Sequence, residues 1–133
     1  MLKLEIVTPE KRAFDDMVDV VSVPTASGEA GILPNHAPLI SALKPGILSY
    51  SMKGTTERLA IGAGFVEVSS NKVSVLTDTA ESGADIDTAS AQAERDAAEK
   101  ALAANATAAL EETEADRERL EAANARLQLA AGR

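Results

Sequence analysis

The stretch Val73-Ser74-Val75-Leu76-Thr77-Asp78-Thr79-Ala80-Glu81-Ser82-Gly83-Ala84-Asp85-Ile86-Asp87-Thr88-Ala89-Ser90-Ala91-Gln92-Ala93 passes from one structural alphabet to another. Val73 and Val75 alternate with Ser74, the period-two pattern of a strand with one buried face. The final third opens the Ala-rich segment that runs on with Glu, Arg, Leu and Gln, all strong helix formers. Between them, Ser82-Gly83-Ala84-Asp85 reads as a linker. Asp87 is placed to cap the helix that follows, because its carboxylate can accept from backbone N–H groups that have no partner in the first turn.

The same change of alphabet divides the whole chain. Every Val, Ile and Pro lies at or before Ile86, as do seven of the eight Gly, whereas residues 87–133 hold seventeen Ala and only three β-branched residues, all Thr. Upstream, Leu2, Leu4 and Ile6, and then Leu48, Tyr50 and Met52, alternate as strands do. The runs Val18 to Val23 and Leu59 to Ile61 are apolar on both faces or nearly so, as expected of strands inside a sandwich. Turn signals separate the runs: Thr8-Pro9-Glu10, Ser27-Gly28-Glu29, Lys44-Pro45-Gly46, Lys53-Gly54, Gly62-Ala63-Gly64 and Ser70-Asn71. The spacing predicts about eight to ten short strands. Downstream, Ser90, Ala93, Ala97, Ala101 and Ala104 form a stripe of small residues at helical spacing. A turn falls around Asn105 to Thr107, and Leu120, Ala123, Leu127 and Ala130 form a second stripe. Two such helices bury their stripes by packing antiparallel. The fold class is therefore α+β and mainly β: an N-terminal β-sandwich over residues 1–84, then a C-terminal antiparallel two-helix hairpin over 85–133. An interface of Ala with a few Leu is modestly driven, so the hairpin is a candidate mobile element.

Composition excludes several functions. With 133 residues and 45% hydrophobic content, the chain has no run approaching the roughly 20 apolar residues of a membrane helix. A membrane would be reached only through partners. The N-terminal MLKLEIVTPEKR has neither a long apolar region nor a small-residue cleavage site, so a cytosolic chain is expected. Absence of Cys removes disulfides, thiolate zinc sites and cysteine nucleophiles. A net charge of -8, and only Phe14, Tyr50 and Phe65 as aromatics, argue against nucleic acid, which needs clustered cations and stacking platforms.

No constellation for catalysis is present. His36 is the only histidine, too few for a metal centre, and no G-x-S-x-G accompanies it for a hydrolase. A loop or interface role fits it better. Gly62-Ala63-Gly64 begins like a dinucleotide fingerprint, but the third Gly is missing and Phe65-Val66-Glu67-Val68 reads as a strand. A phosphate-binding G-x-x-x-x-G-K-[ST] sequence is also missing. The run Glu111, Glu112, Glu114, Asp116, Glu118 and Glu121, interleaved with Arg117, Arg119 and Arg126, reads first as a solvated helix face. Its Arg residues could also meet an acidic partner, for which their multidentate donors suit them.

Gly28-Glu29-Ala30-Gly31-Ile32-Leu33-Pro34-Asn35-His36-Ala37-Pro38-Leu39, followed by Lys44-Pro45-Gly46, closely resembles the signature of the F-type ATP synthase epsilon family. The resemblance spans essentially the whole chain and is weakest over residues 105–118. It implies a sandwich of about ten strands bound to the gamma shaft and seated on the ring of c subunits, turning with the rotor. It implies a c-ring or gamma contact loop of Glu29, Gly31, His36, Ala37 and Pro38, with Glu29 near the c ring and His36 near gamma. It further implies a non-catalytic subunit, peripheral on the cytoplasmic face of the bacterial plasma membrane. Its hairpin lies folded on the sandwich or extends into the alpha/beta catalytic head to inhibit ATP hydrolysis. Arg119 and Arg126 are the candidate inhibitory contacts in the extended state. Some members bind ATP through Ile/Leu-Asp-x-x-Arg-Ala, where this chain reads Ile86-Asp87-Thr88-Ala89-Ser90-Ala91. Ser90 in place of the Arg removes a phosphate-pairing cation, so no cofactor is expected and nucleotide sensing is in question.

Overall fold

Alternation in sequence becomes alternation in burial from the first strand. Leu2, Leu4 and Ile6 are buried while Lys3, Glu5 and Val7 between them are partly exposed, so β1 (Leu2–Val7) turns one face to a core. The computed structural model describes residues 1–132. Within them the chain continues as β2 (Arg12–Val18), β3 (Val20–Thr25), β4 (Gly28–Ile32), β5 (Leu39–Leu43), β6 (Gly46–Met52), β7 (Thr55–Ile61), β8 (Gly64–Ser69), β9 (Lys72–Thr77) and β10 (Ala80–Ser82). A 3-10 turn at Gly83–Asp85 then leads to α1 (Thr88–Ala104) and α2 (Leu110–Ala131).

The ten strands form one hydrogen-bonded sheet in the order β10-β7-β6-β3-β5-β8-β9-β1-β2, with β4 on the other edge of β3. Antiparallel pairing prevails, and β1 with β9 is parallel. Strands β3 and β5 share a single pair, Thr25 with Leu43, and at that corner the sheet folds over itself. Packing of Phe14 on Tyr50, with ring centroids 4.5 Å apart, brings β2 back against β6. The sandwich encloses Val18, Val21, Val23, Ile32, Leu48, Ile61, Val66, Val68, Val73 and Val75 along with the β1 residues.

Two expectations about the strands change. Val18 to Val23 is not one strand, because the chain bends at Asp19, whose N–H donates to Ser51 O at 2.8 Å and whose carboxylate accepts from Lys53 N at 3.2 Å. The run is apolar because it joins the ends of two strands that both bury Val. Leu59 to Ile61 is apolar on both faces for another reason. Ile61 enters the sandwich core, while Ala60 packs outside it with Ile86, Leu129 and Ala130 under the hairpin.

Asp87 caps α1 as expected, accepting from Ser90 N at 3.1 Å, and Asn105 closes it with Nδ2 donating to Ala101 O at 2.9 Å. The first stripe is rotated from the expected one. Ala91 and Ala98 are buried, with Leu102 partly so, whereas Ser90, Ala93, Ala97 and Ala104 face solvent. A helix this rich in Ala offers little contrast between its faces, and Leu102 sets the seam: Ala98 lies four residues before it and Ala91 eleven. On α2, Ala123 and Ala130 are buried, and Leu120 and Leu127 partly so.

The hairpin is folded against the sandwich. Helix α2 lies between α1 and the outer face of β6 and β7. Its joint with the sandwich is small: Ile86 contributes about 1.5 to 3 kcal/mol and each Ala methyl about 0.8 kcal/mol before ordering is counted. One ion pair reinforces it, with Arg126 Nε 2.9 Å from Glu81 Oε1 on β10. This pair is partly exposed, which limits it to about 1 kcal/mol or less. Glu81→Gln is therefore expected to speed amide exchange in α2 about threefold and leave β8 and β9 unchanged. Equal acceleration in both regions would mean that the hairpin opens only with the whole fold.

Candidate functional site

The residues singled out in the sequence fall at two places. Glu29 and Gly31 lie on β4, opposite Pro24 and Ser22, so Glu29 is a strand carboxylate and not a turn one. It accepts from the Ser22 hydroxyl, and it lines a groove with Asn124, Ala125 and Gln128 of α2. Glu29 thus sits on the hairpin side of the sandwich. His36, Ala37 and Pro38 lie beyond the far end of β4 in the loop Leu33 to Pro38, so the structure does not gather the five into one loop. Asn35 turns this loop at φ 65°, and His36 N donates to Leu33 O at 3.2 Å. The Ala37 carbonyl can only accept, so its 2.7 Å contact with His36 Nδ1 places a proton there. Nε2 is then the ring nitrogen left for a partner.

Of the candidate inhibitory residues, Arg119 donates to Glu94 of α1 at 3.2 Å and to Asp116 at 3.3 Å. Arg126 is held by Glu81. Both cations are engaged while the hairpin is folded. Ser90 is exposed, and Asp87 of the same motif is occupied as the helix cap. Among the described residues, no group of three or more His, Cys, Asp or Glu is placed to hold a metal, and no helix is long and apolar enough to cross a membrane.

Sequence reasoning missed a larger feature. On the sheet face away from the hairpin, Ile40 of β5, Phe65 of β8 and Leu76 of β9 are exposed by 74%, 59% and 54%. Register makes Phe65 and Leu76 direct neighbours: Phe65 pairs with Ala42 and with Leu76, and Leu76 pairs with Val7, while Ile40 lies two residues along β5 from Ala42, opposite Glu67. A contiguous apolar strip therefore crosses four strands, and such a strip marks an interaction surface. Pro38 and Leu39 line a hollow with Ile40, which joins the His36 loop to the strip. Beside it, β1, β2 and β9 carry a charge network: Lys72 lies 2.8 Å from Glu5, Arg12 2.9 Å from Asp15, and Lys3 3.4 Å from Asp15. The Lys72 hydrogen bond holds Glu5 below its ordinary pKa. Desolvation works to raise Asp15, but Lys3 and Arg12 outweigh it and leave that carboxyl lowered too. The signal in sequence was Phe65, out of phase with the buried Val66 and Val68.

Comparison with known sequences decides the family. The sequence model described as the ATP synthase delta/epsilon chain β-sandwich domain matches residues 1–83. The chain belongs to the ATP synthase delta/epsilon family. Among its family relatives, the ATP synthase epsilon chain of Carboxydothermus hydrogenoformans is 49% identical over 102 residues, covering 77% of this chain and 76% of that one. The ATP synthase epsilon chain of Desulfitobacterium hafniense strain Y51 is 46% identical over 99 residues, covering 74% and 75%. The delta/epsilon fold is also seen in a chain of the Euglena gracilis mitochondrial ATP synthase structure of OSCP, F1 and c-ring in rotational state 1. That chain has a TM-score of 0.74 at 24% identity, covering 96% of this chain and 79% of that one. A chain from the central stalk and c-ring of Tetrahymena thermophila mitochondrial ATP synthase has a TM-score of 0.53 at 18% identity, covering 62% and 67%.

Proposed function

We propose that this chain is the epsilon subunit of a rotary F-type ATP synthase. It is a non-catalytic part of the central stalk, coupling proton-driven rotation of the c ring to ATP synthesis in the catalytic head. The observation that carries the reading is the bare apolar strip of Ile40, Phe65 and Leu76, continuous with the His36 loop and opposite the face covered by α2. Gamma is the partner assigned to that strip, and His36, Ala37 and Pro38 border the contact. Glu29 and Gly31, on β4, are assigned to the c ring. The subunit reaches the membrane through these partners, on the cytoplasmic face of the bacterial plasma membrane.

The hairpin regulates hydrolysis in this reading. Extension toward the alpha/beta head breaks Arg126–Glu81 and frees Arg126 for an acidic surface there, whereas Arg119–Glu94 joins the two helices to each other. A ligand or subunit state shifts the balance only by preferring one of the two contact sets. Asp87 serves as a cap and Ser90 carries no charge, so ATP is not assigned as the ligand. The test is an assembled complex containing either the full chain or residues 1–86. Both are expected to co-purify with gamma and the c ring, and the truncated complex is expected to hydrolyse ATP faster. Failure of both to co-purify would sink the stalk assignment, and equal hydrolysis would sink the inhibitory role.

A further inference from the structure

Two asparagines 36 residues apart clasp the loop that carries His36. Asn35 and Asn71 both stand in the left-handed region, at φ 65° and 60°. Asn71 Oδ1 accepts from Asn35 N at 2.5 Å, and Asn71 Nδ2 donates to Asn35 Oδ1 at 3.2 Å, so both ends of the Asn71 amide are used. The Asn71 carbonyl also accepts from Lys3 N at 2.9 Å, which fixes the β8–β9 turn to β1. Among the described residues, the other hydrogen bonds of the loop, His36 N to Leu33 O and His36 Nδ1 to Ala37 O, stay inside it. We propose that Asn71 is a positioning residue for partner binding: it holds the His36-Ala37-Pro38 loop in place at the end of the apolar strip.

The inference rests on the assignment of gamma to that strip. A loop fixed before contact loses less conformational freedom on binding than a free one, so the clasp acts on affinity with little effect on the fold. Asx side chains suit the position because Asn and Asp tolerate positive φ. Gly tolerates it as well and carries no side chain, so it separates the clasp from the turn.

The experiment compares the full chain with Asn71→Gly and Asn71→Asp. Asn71→Gly is expected to keep the thermal midpoint within about 2 °C, because relief of the positive φ offsets the added freedom of the unfolded chain. It is expected to raise exchange at the Asn35 and His36 amides at least about fivefold and to weaken gamma binding about tenfold. Asn71→Asp retains an oxygen to accept from Asn35 N and is expected to restore most of both. Unchanged loop exchange in Asn71→Gly would overturn the clasp whatever gamma does. Raised exchange with unchanged binding would overturn its positioning role, provided Phe65→Ser weakens binding in the same assay. If Phe65→Ser also binds normally, the gamma assignment has failed, and the exchange result still decides the clasp.

Discussion

Replacing Gly64 by Ala is expected to lower the thermal midpoint of the full chain by more than about 10 °C, corresponding to a loss of roughly 3 kcal/mol or more. Gly64 opens β8 between Leu43 of β5 and Thr77 of β9. A Cβ there would overlap the carbonyl oxygen of Leu76 and come within 2.9 Å of the Leu76 carbonyl carbon and of Thr77 Cα. These are backbone atoms, so no rotamer relieves the clash, and the β8–β9 ladder must part. The neighbouring turn is also fixed, because the buried Thr77 hydroxyl lies 3.0 Å from Gly62 O and 3.2 Å from Ala63 O. Gly31→Ala is the control, since nothing lies within 4 Å of a Cβ at that position. Its midpoint is expected to stay within about 2 °C, in line with the ±0.5 kcal/mol typical of surface substitutions. Thermal denaturation followed by circular dichroism measures both, and a Gly64→Ala midpoint equal to that of Gly31→Ala would refute the close-approach argument.

Phe65→Ser is expected to weaken binding to gamma by about 30-fold or more, the equivalent of a hot spot of about 2 kcal/mol. Its stability is expected to change little, because the Phe65 side chain faces solvent in the isolated chain. An aromatic at the middle of an apolar strip, flanked by Ala42 and Leu76, has the position such anchors occupy. Met17→Ser serves as a control, being an exposed apolar residue of β2 outside the strip. Titration of gamma with each variant distinguishes a strip-centred interface from a diffuse one. Equal affinity of Phe65→Ser and the parent chain would remove the strip from the interface.

The sandwich was legible because its strands alternate and its turns carry Gly, Pro and Asn where the backbone demands them. Lys53-Gly54 and Ser70-Asn71 indeed sit at positive φ. What escaped the sequence has physical causes. A run of Val does not reveal that the chain bends inside it, since Asp19 turns between two strands that are both buried. An Ala-rich helix hides its seam, so only Leu102 marked the true one. Ile40, Phe65 and Leu76 drew no reading of their own, because an apolar residue on the outer phase of a strand looks the same whether a second layer, a partner or solvent covers it. Asn71 carried a turn signal and Asn35 stood inside the Gly28-to-Leu39 motif, and neither reported the contact between two loops. Glu29 was named from the motif, but its place beside α2 follows from how the hairpin folds back.

The joint between α2 and the sandwich is built from Ala60, Ile86, Leu129 and Ala130, small residues apart from two, with Arg126 and Glu81 beside them. Heat capacity follows the apolar area exposed, so lifting the hairpin changes it far less than melting the sandwich does. The free energy of lifting the hairpin would then change with temperature nearly in a straight line, without the curvature of global unfolding. It would also fall with dissolved salt, which screens the guanidinium from its carboxylate.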